Sequence, residues 1–242
     1  MLENIDTKGL VSSSQQGIHP RLEQYLRRHL AKPWSQPFHR PSLEVYRRVT
    51  AEYGFSGGRP FLLDSGCGTG RSTQLLAERY PDQLVIGVDQ SEARLAKSGM
   101  KHDIIQGQNW ILLRAELATF WRLLLRDGLI PAAHFLLYPN PWPKAGHMKR
   151  RWHGHPVFPV LLSLGGEIEM RCNWQIYAQE FAFAVSLATG MNIEVESFQR
   201  EEKTAKAISP FEQKYLERGQ DLYSVKVSDS IAGAFRKSWK HS

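Results

Sequence analysis

Two stretches of this 242-residue sequence have the residue types and spacing to do chemistry. The first is Asp64-Ser65-Gly66-Cys67-Gly68-Thr69-Gly70, followed by Arg71. Alternating glycines let the backbone turn sharply and leave no side chain between it and a ligand. Asp64 supplies an acceptor for a cationic group. Asp89 comes 19 residues after Gly70, where an acid grips ribose hydroxyls in doubly wound folds. A GxGxxG dinucleotide loop would need glycine at position 71, where Arg stands. A bare strand–helix turn would show the glycines without the matching acid. The second stretch is Tyr138-Pro139-Asn140-Pro141-Trp142-Pro143-Lys144, with His147, Lys149, Arg150 and Arg151 close behind. Pro139 and Pro141 restrict the backbone on both sides of Asn140. A rigid loop beside a reacting atom suits in-line group transfer, which depends on positioning. The cations read as phosphate contacts or as a solvated basic loop, and Trp142 equally as a stacking surface or as a buttress.

Strands and helices must alternate to place these stretches. RPFLLDSG, QLVIGVD, WILLRAE, AAHFLLYPNPW and GGEIEMRCNW read as five strands, and NIEVESF with LYSVKVSD as a closing pair. Between them STQLLAERYP, SEARLAKSG, ATFWRLLLRDG and IYAQEFAFAVSLATG read as helices. SLEVYRRVTAEYG reads as a helix capped by Ser42 and stopped at Gly54. This alternation predicts an α/β fold with a doubly wound, mostly parallel sheet. Ligands in such sheets bind at the carboxyl ends of the strands, which is where both chemical stretches fall. Residues 1–40 are expected to be a flexible, irregular extension carrying one short basic helix, RLEQYLRRHL. That helix suits RNA contact or simple coverage of the sheet. Residues 41–242 form the single folded domain.

The motifs also carry a family resemblance. DSGCGTG resembles motif I of class I S-adenosyl-L-methionine methyltransferases, whose donor has no pyrophosphate to seat on a helix N-terminus. YPNPWPKAGHMKRR resembles the (F/Y)PDPWxKxxHxKRR signature of bacterial TrmB-type tRNA (guanine-N7)-methyltransferases. RCNWQIYAQEF is similar to that family's ATDWxxYAxxM segment, and SPFEQKYLERGQDLYSVKV to its TxFExRxxxxGxxxxxxxF segment. The likeness runs in order over residues 60–227 and implies a Rossmann-like fold. It implies methyl transfer from S-adenosyl-L-methionine to N7 of a variable-loop guanosine of the guanine-46 type in tRNA. It also implies that Asp64, Gly66, Gly68, Gly70, Asp89, Glu116 and Asn140 hold the cofactor and that Asn140 is the catalytic position. Lys144, Asn173, Ser209, Pro210, Phe211 and Glu212 then meet the substrate. Asn140 and Asn173 stand where the family usually has Asp, Ser209 where it has Thr, and Pro210 where it has Lys or Arg.

Bulk properties fit that expectation. The formal net charge is +7 and the pI about 9.5, a balance that favours a polyanionic partner. Two cysteines are too few for a disulfide framework, and with no signal-like apolar core a cytoplasmic protein is expected. No run of apolar residues is long enough to span a membrane. His147, His153 and His155 lack a Cys or carboxylate at ligand spacing, so no metal is expected. A monomer is favoured. The alternatives are a catalytically weakened paralogue that binds RNA and cofactor, and a methyltransferase with a different substrate.

Overall fold

The computed structural model describes residues 10–32, 34–52, 60–199 and 207–239. In chain order it runs α1 (Leu22–Ala31), α2 (Arg40–Glu52), β1 (Phe61–Ser65), α3 (Arg71–Arg79), β2 (Leu84–Asp89), α4 (Glu92–Leu95), β3 (Ile104–Gln106), β4 (Trp110–Arg114), α5 (Leu117–Arg126) and β5 (Ala133–Leu137). It continues through α6 (Phe158–Ser163), β6 (Glu167–Cys172), α7 (Gln175–Thr189), β7 (Glu196–Phe198), α8 (Pro210–Glu217), β8 (Leu222–Val227) and α9 (Asp229–Ser238). The strands form an eight-stranded sheet in the order β3-β4-β2-β1-β5-β6-β8-β7. The five central strands are parallel, while β3, β8 and β7 pair antiparallel.

β1 is buried along its whole length, and its neighbours face opposite layers because successive strand side chains alternate. Leu63 joins Trp121, Phe158, Phe181 and Val185 under α5, α6 and α7. Leu62 joins Leu76 and Ala77 of α3 with Phe135 and Leu137 of β5. α5 contributes most to the first layer, with Phe120, Trp121, Leu123 and Leu124 all fully buried. Each such side chain stabilises the fold by about 1.5–3 kcal/mol. The strand order reverses at β1, which sends β2 to one side and β5 to the other. That reversal opens the crevice in which doubly wound folds bind ligands.

The structure departs from the sequence reading in four places. α2 begins at Arg40, and Ser42 lies inside it, so Ser42 is not its cap. The Ser42 hydroxyl instead accepts the Glu116 amide (2.8 Å) and meets His39 Nδ1 (2.8 Å), a tertiary use that outweighs capping. The expected stop at Gly54 lies outside the described residues. β5 ends at Leu137, because Tyr138 turns to φ 53° and leaves the extended region. β3 was not expected: its three residues are partly exposed and too short to show a period. Of the expected mobile extension, residues 1–9 lie outside the described residues. Residues 13–19 are tied down, with Ser13 Oγ donating to the Pro143 carbonyl at 2.7 Å and the His19 amide to Glu180 Oε1 at 2.9 Å. Among the described residues no helix is long and apolar enough to cross a membrane.

Candidate active site

The glycine turn leaves the end of β1 with all three of its glycines at positive φ: Gly66 at 81°, Gly68 at 59° and Gly70 at 79°. They do different work. A Cβ on Gly66 or Gly68 would meet nothing nearer than 4.0 Å, so the backbone there faces open space. A Cβ on Gly70 would lie 2.3 Å from Leu112 Cδ1, so Gly70 is fixed by packing as well as by φ. Gly87 of β2 was not singled out in the sequence, yet a Cβ there would lie 2.2 Å from Thr73 Oγ1. Its bareness lets the start of α3 sit down on the sheet.

Two buried acids frame the turn. Asp64 Oδ2 accepts from Ser72 Oγ (2.6 Å) and Thr73 Oγ1 (2.7 Å) in the first turn of α3. Its Oδ1 is buried without a hydrogen-bond partner. Burial pushes the Asp64 carboxyl up to about 6, against the pull of the two hydroxyls. Asp89 Oδ2 accepts the Gly68 amide (3.0 Å) and Oδ1 the Ser91 amide (2.8 Å), with the Arg94 guanidinium 3.7 Å away. Glu116, just before α5, accepts from Thr119 Oγ1 at 2.5 Å. Burial pushes the Cys67 thiol well up and the Cys172 thiol up to about 12, away from the thiolate form. An orphaned acceptor beside bare, open glycine backbone fits the cationic tail and nucleoside of S-adenosyl-L-methionine.

The proline loop follows the strand that neighbours β1. β5 pairs with β1 through Asp64 and Phe135, so Tyr138–Lys144 follows the strand next to the glycine turn. Tyr138 (φ 53°) and Trp142 (φ 45°) are the non-glycine residues at positive φ among the described residues. Such conformations cost about 1–3 kcal/mol each and persist where surrounding structure holds them. Both are held. The Tyr138 amide donates to the Arg171 carbonyl (2.7 Å), and its hydroxyl to Glu212 Oε2 (3.1 Å). The Trp142 carbonyl accepts from Arg151 Nε (3.2 Å) and Nη2 (3.0 Å). Between them Asn140 is exposed, and its Oδ1 accepts the Trp142 amide at 3.3 Å.

Arg151 corrects an expectation. It was read with Lys144, Lys149 and Arg150 as a phosphate contact, but it is fully buried. Its Nη1 donates to Glu180 Oε2 (2.5 Å), its Nη2 to Gln15 Oε1 (3.0 Å), and its guanidinium lies 4.7 Å from the centre of the Trp174 ring. Glu180 also accepts from Gln15 Nε2 (2.5 Å) and meets His153 Nε2 (2.9 Å). Burial raises the Glu180 carboxyl, but the His153 and Arg151 contacts win and hold it down at about 2. Burial lowers His153, against the opposing pull of the Glu180 carboxylate. A single Glu inside the apolar run of α7 was the available sign of this buried pair.

The remaining expected residues gather at the same end of the sheet. Asn173 follows β6, and its Nδ2 donates to Gln220 Oε1 (3.2 Å). Ser209 caps α8 by accepting the Glu212 amide (3.1 Å), with Pro210 opening the helix. Glu212 is buried and already engaged by Arg171 Nη1 (3.0 and 2.9 Å), Tyr138 and the Ile208 amide (3.2 Å), so its carboxylate faces inward. Phe211 is 52% exposed and stacks on Tyr215. Lys144 is exposed. Among the described residues no group of three or more His, Cys, Asp or Glu is placed to hold a metal.

The chain is similar to several known proteins. The family model described as "Putative methyltransferase" matches residues 58–225, more than two thirds of the chain. A tRNA (guanine-N(7)-)-methyltransferase from a Synechococcus strain is 30% identical over 172 residues, covering 69% of this chain and 68% of that protein. One from Brevibacillus brevis is 25% identical, covering 72% of this chain and 83% of that protein. One from Neisseria meningitidis serogroup B is 28% identical over 135 residues, and the matched stretch spans 56% of its length. In fold, the chain is similar to an antibiotic-related methyltransferase of known structure, with TM-score 0.52 at 17% identity over 81% of this chain and 96% of that one. With the family model matching most of the chain and a relative at 30% identity over two thirds of it, the chain belongs to the TrmB-type tRNA (guanine-N7)-methyltransferase family of class I methyltransferases.

Proposed function

We propose that this protein transfers a methyl group from S-adenosyl-L-methionine to N7 of a guanosine in tRNA, the variable-loop guanosine of the guanine-46 type. The observation that carries this reading is the juxtaposition at the ends of the paired strands β1 and β5: bare glycine backbone and the orphaned Asp64 Oδ1 after one, and Asn140 on a pinned loop after the other. Asp64 meets the donor's cationic amino group, Asp89 and Glu116 its ribose and nucleoside, and Gly66 and Gly68 leave room for its body. The bound donor supplies an electrophilic methyl on a sulfonium. Guanine N7 attacks with its own in-plane lone pair, so no residue has to remove a proton; the carbon–sulfur bond breaks and the purine takes up the positive charge. Asn140 orients the base at the rim of the crevice. Lys144 meets phosphate, Phe211 offers a face for stacking, and Asn173 and Pro210 line the approach, while the buried Ser209 holds the start of α8.

A second reading is favoured by the two amides. Asn140 spends its Oδ1 on the Trp142 amide, and neither Asn140 nor Asn173 brings a negative charge to a purine that becomes cationic. A binding protein with slow turnover would look like this. The test is transfer of labelled methyl to an unmodified tRNA transcript and to one with adenosine at the variable-loop position. Label in the first alone supports the proposal. Label in both overturns the assigned nucleotide, and donor binding without transfer supports the second reading.

A further inference from the structure

The site leaves α1 without a task. Leu22 and Leu26 anchor it in the core, fully buried. A second row carries Arg21 at the N-cap and Tyr25 and Arg28 on the helix, spaced four and three residues apart, and side chains at that spacing share one face of a helix; Lys32 follows just past the helix end in extended backbone. From Arg21 to Arg28 the row is about 10 Å long at the helical rise per residue. It continues into the basic segment behind the proline loop. Lys149 Nζ lies 5.1 Å from the centre of the Tyr25 ring, the Arg21 guanidinium lies 5.8 Å from the same ring, and Arg150 lies 4.7 Å from the Trp142 ring. Arg21, Arg28, Lys32, Lys149 and Arg150 are all exposed. Among the described residues no carboxylate oxygen lies within 4.0 Å of any of the five. Arg27, on the other flank of α1, differs: it is paired with Glu23 at 2.7 Å. The chain entering α1 is fastened to the loop by Ser13 on Pro143 and Gln15 on Arg151, which fixes the row relative to Asn140.

We propose that this row is the docking surface for the phosphate backbone of the RNA whose nucleotide enters at Asn140, an inference that rests on the function proposed above. Unpaired cations in a line match a chain of phosphates, and neutralising those phosphates releases counterions. A membrane surface fits less well. Helices that lie on lipid expose an apolar face, whereas the large apolar side chains of α1 are turned into the protein and none is exposed. The row gives affinity and register and leaves chemistry to the loop.

The test compares wild type with the quadruple variant R21Q/R28Q/K32Q/K149Q, which keeps Leu22 and Leu26. Binding of an unmodified tRNA transcript is measured against salt, together with steady-state methyl transfer. The slope of log affinity against log salt is expected to become shallower by about 3. KM for tRNA is expected to rise tenfold or more, with kcat and donor affinity within twofold and Arg27→Gln changing neither. An unchanged slope and KM, in a protein whose wild type methylates tRNA, removes the row and leaves the methylation reading standing. A wild type that transfers no methyl, yet binds the transcript with a slope that depends on the row, removes the methylation reading and keeps the row. Weakened binding to phosphatidylserine vesicles with unchanged RNA binding also overturns the inference.

Discussion

Asp64 and Asn140 make opposite demands on charge. Asp64 is ionised above about 6 and protonated below it. A cationic donor tail favours the ionised carboxylate, so donor affinity is full above that pH and falls by up to tenfold per unit below it. Calorimetric titration of S-adenosyl-L-methionine between pH 7.5 and 5 checks this, and Asp64→Asn flattens the profile at low affinity. Without donor the sign reverses. The folded chain prefers Asp64 protonated, so its contribution to stability is fully present below the ordinary aspartate value and is lost as pH rises through about 6. In the proposed reaction Asn140 is neutral where positive charge develops. Asn140→Asp is expected to raise kcat for N7 methylation about tenfold to a hundredfold with donor affinity unchanged; an unaltered kcat in single-turnover kinetics contradicts the role given to charge there.

Turns and loops carry the positioning. Gly70→Ala combines left-handed strain with a close approach to Leu112 and is expected to cost about 2–4 kcal/mol. Gly66→Ala meets open space and costs about 1–2 kcal/mol of strain alone; chemical denaturation separates the two. Glu180→Gln leaves Arg151 buried without its counter-charge and is expected to lower stability by about 3–5 kcal/mol. In wild type the Glu180 contribution is present above the usual glutamate range and is lost as pH falls through about 2. The glycine turn and the proline loop were legible in the sequence because glycine and proline act on their own backbone. The clamp on the loop was not. Arg151 sits in a basic run and reads as solvent-facing, and only the fold brings Gln15, Trp142 and Glu180 around it. Glu212 looked available for substrate for the same reason: its partners Arg171 and Tyr138 are 41 and 74 residues away.

For the molecule as a whole, alternation of strand and helix made the parallel core of the sheet legible, since long buried strands and amphipathic helices each show their period. The edges were less so. β3 is three residues long, and α6 and α9 carried no separate signal in the chain. The charge of +7 is concentrated in function if RNA is the partner: affinity for tRNA is then expected to fall steeply with salt, while affinity for the donor barely moves. Filter binding and calorimetry across 50–300 mM salt, roughly the range in which counterion release dominates, compare the two.

The most direct measurement is mass spectrometry of nucleosides from tRNA incubated with this protein and isotopically labelled S-adenosyl-L-methionine. Labelled 7-methylguanosine is the predicted product. Label in any other nucleoside, or donor bound with none transferred, contradicts the account.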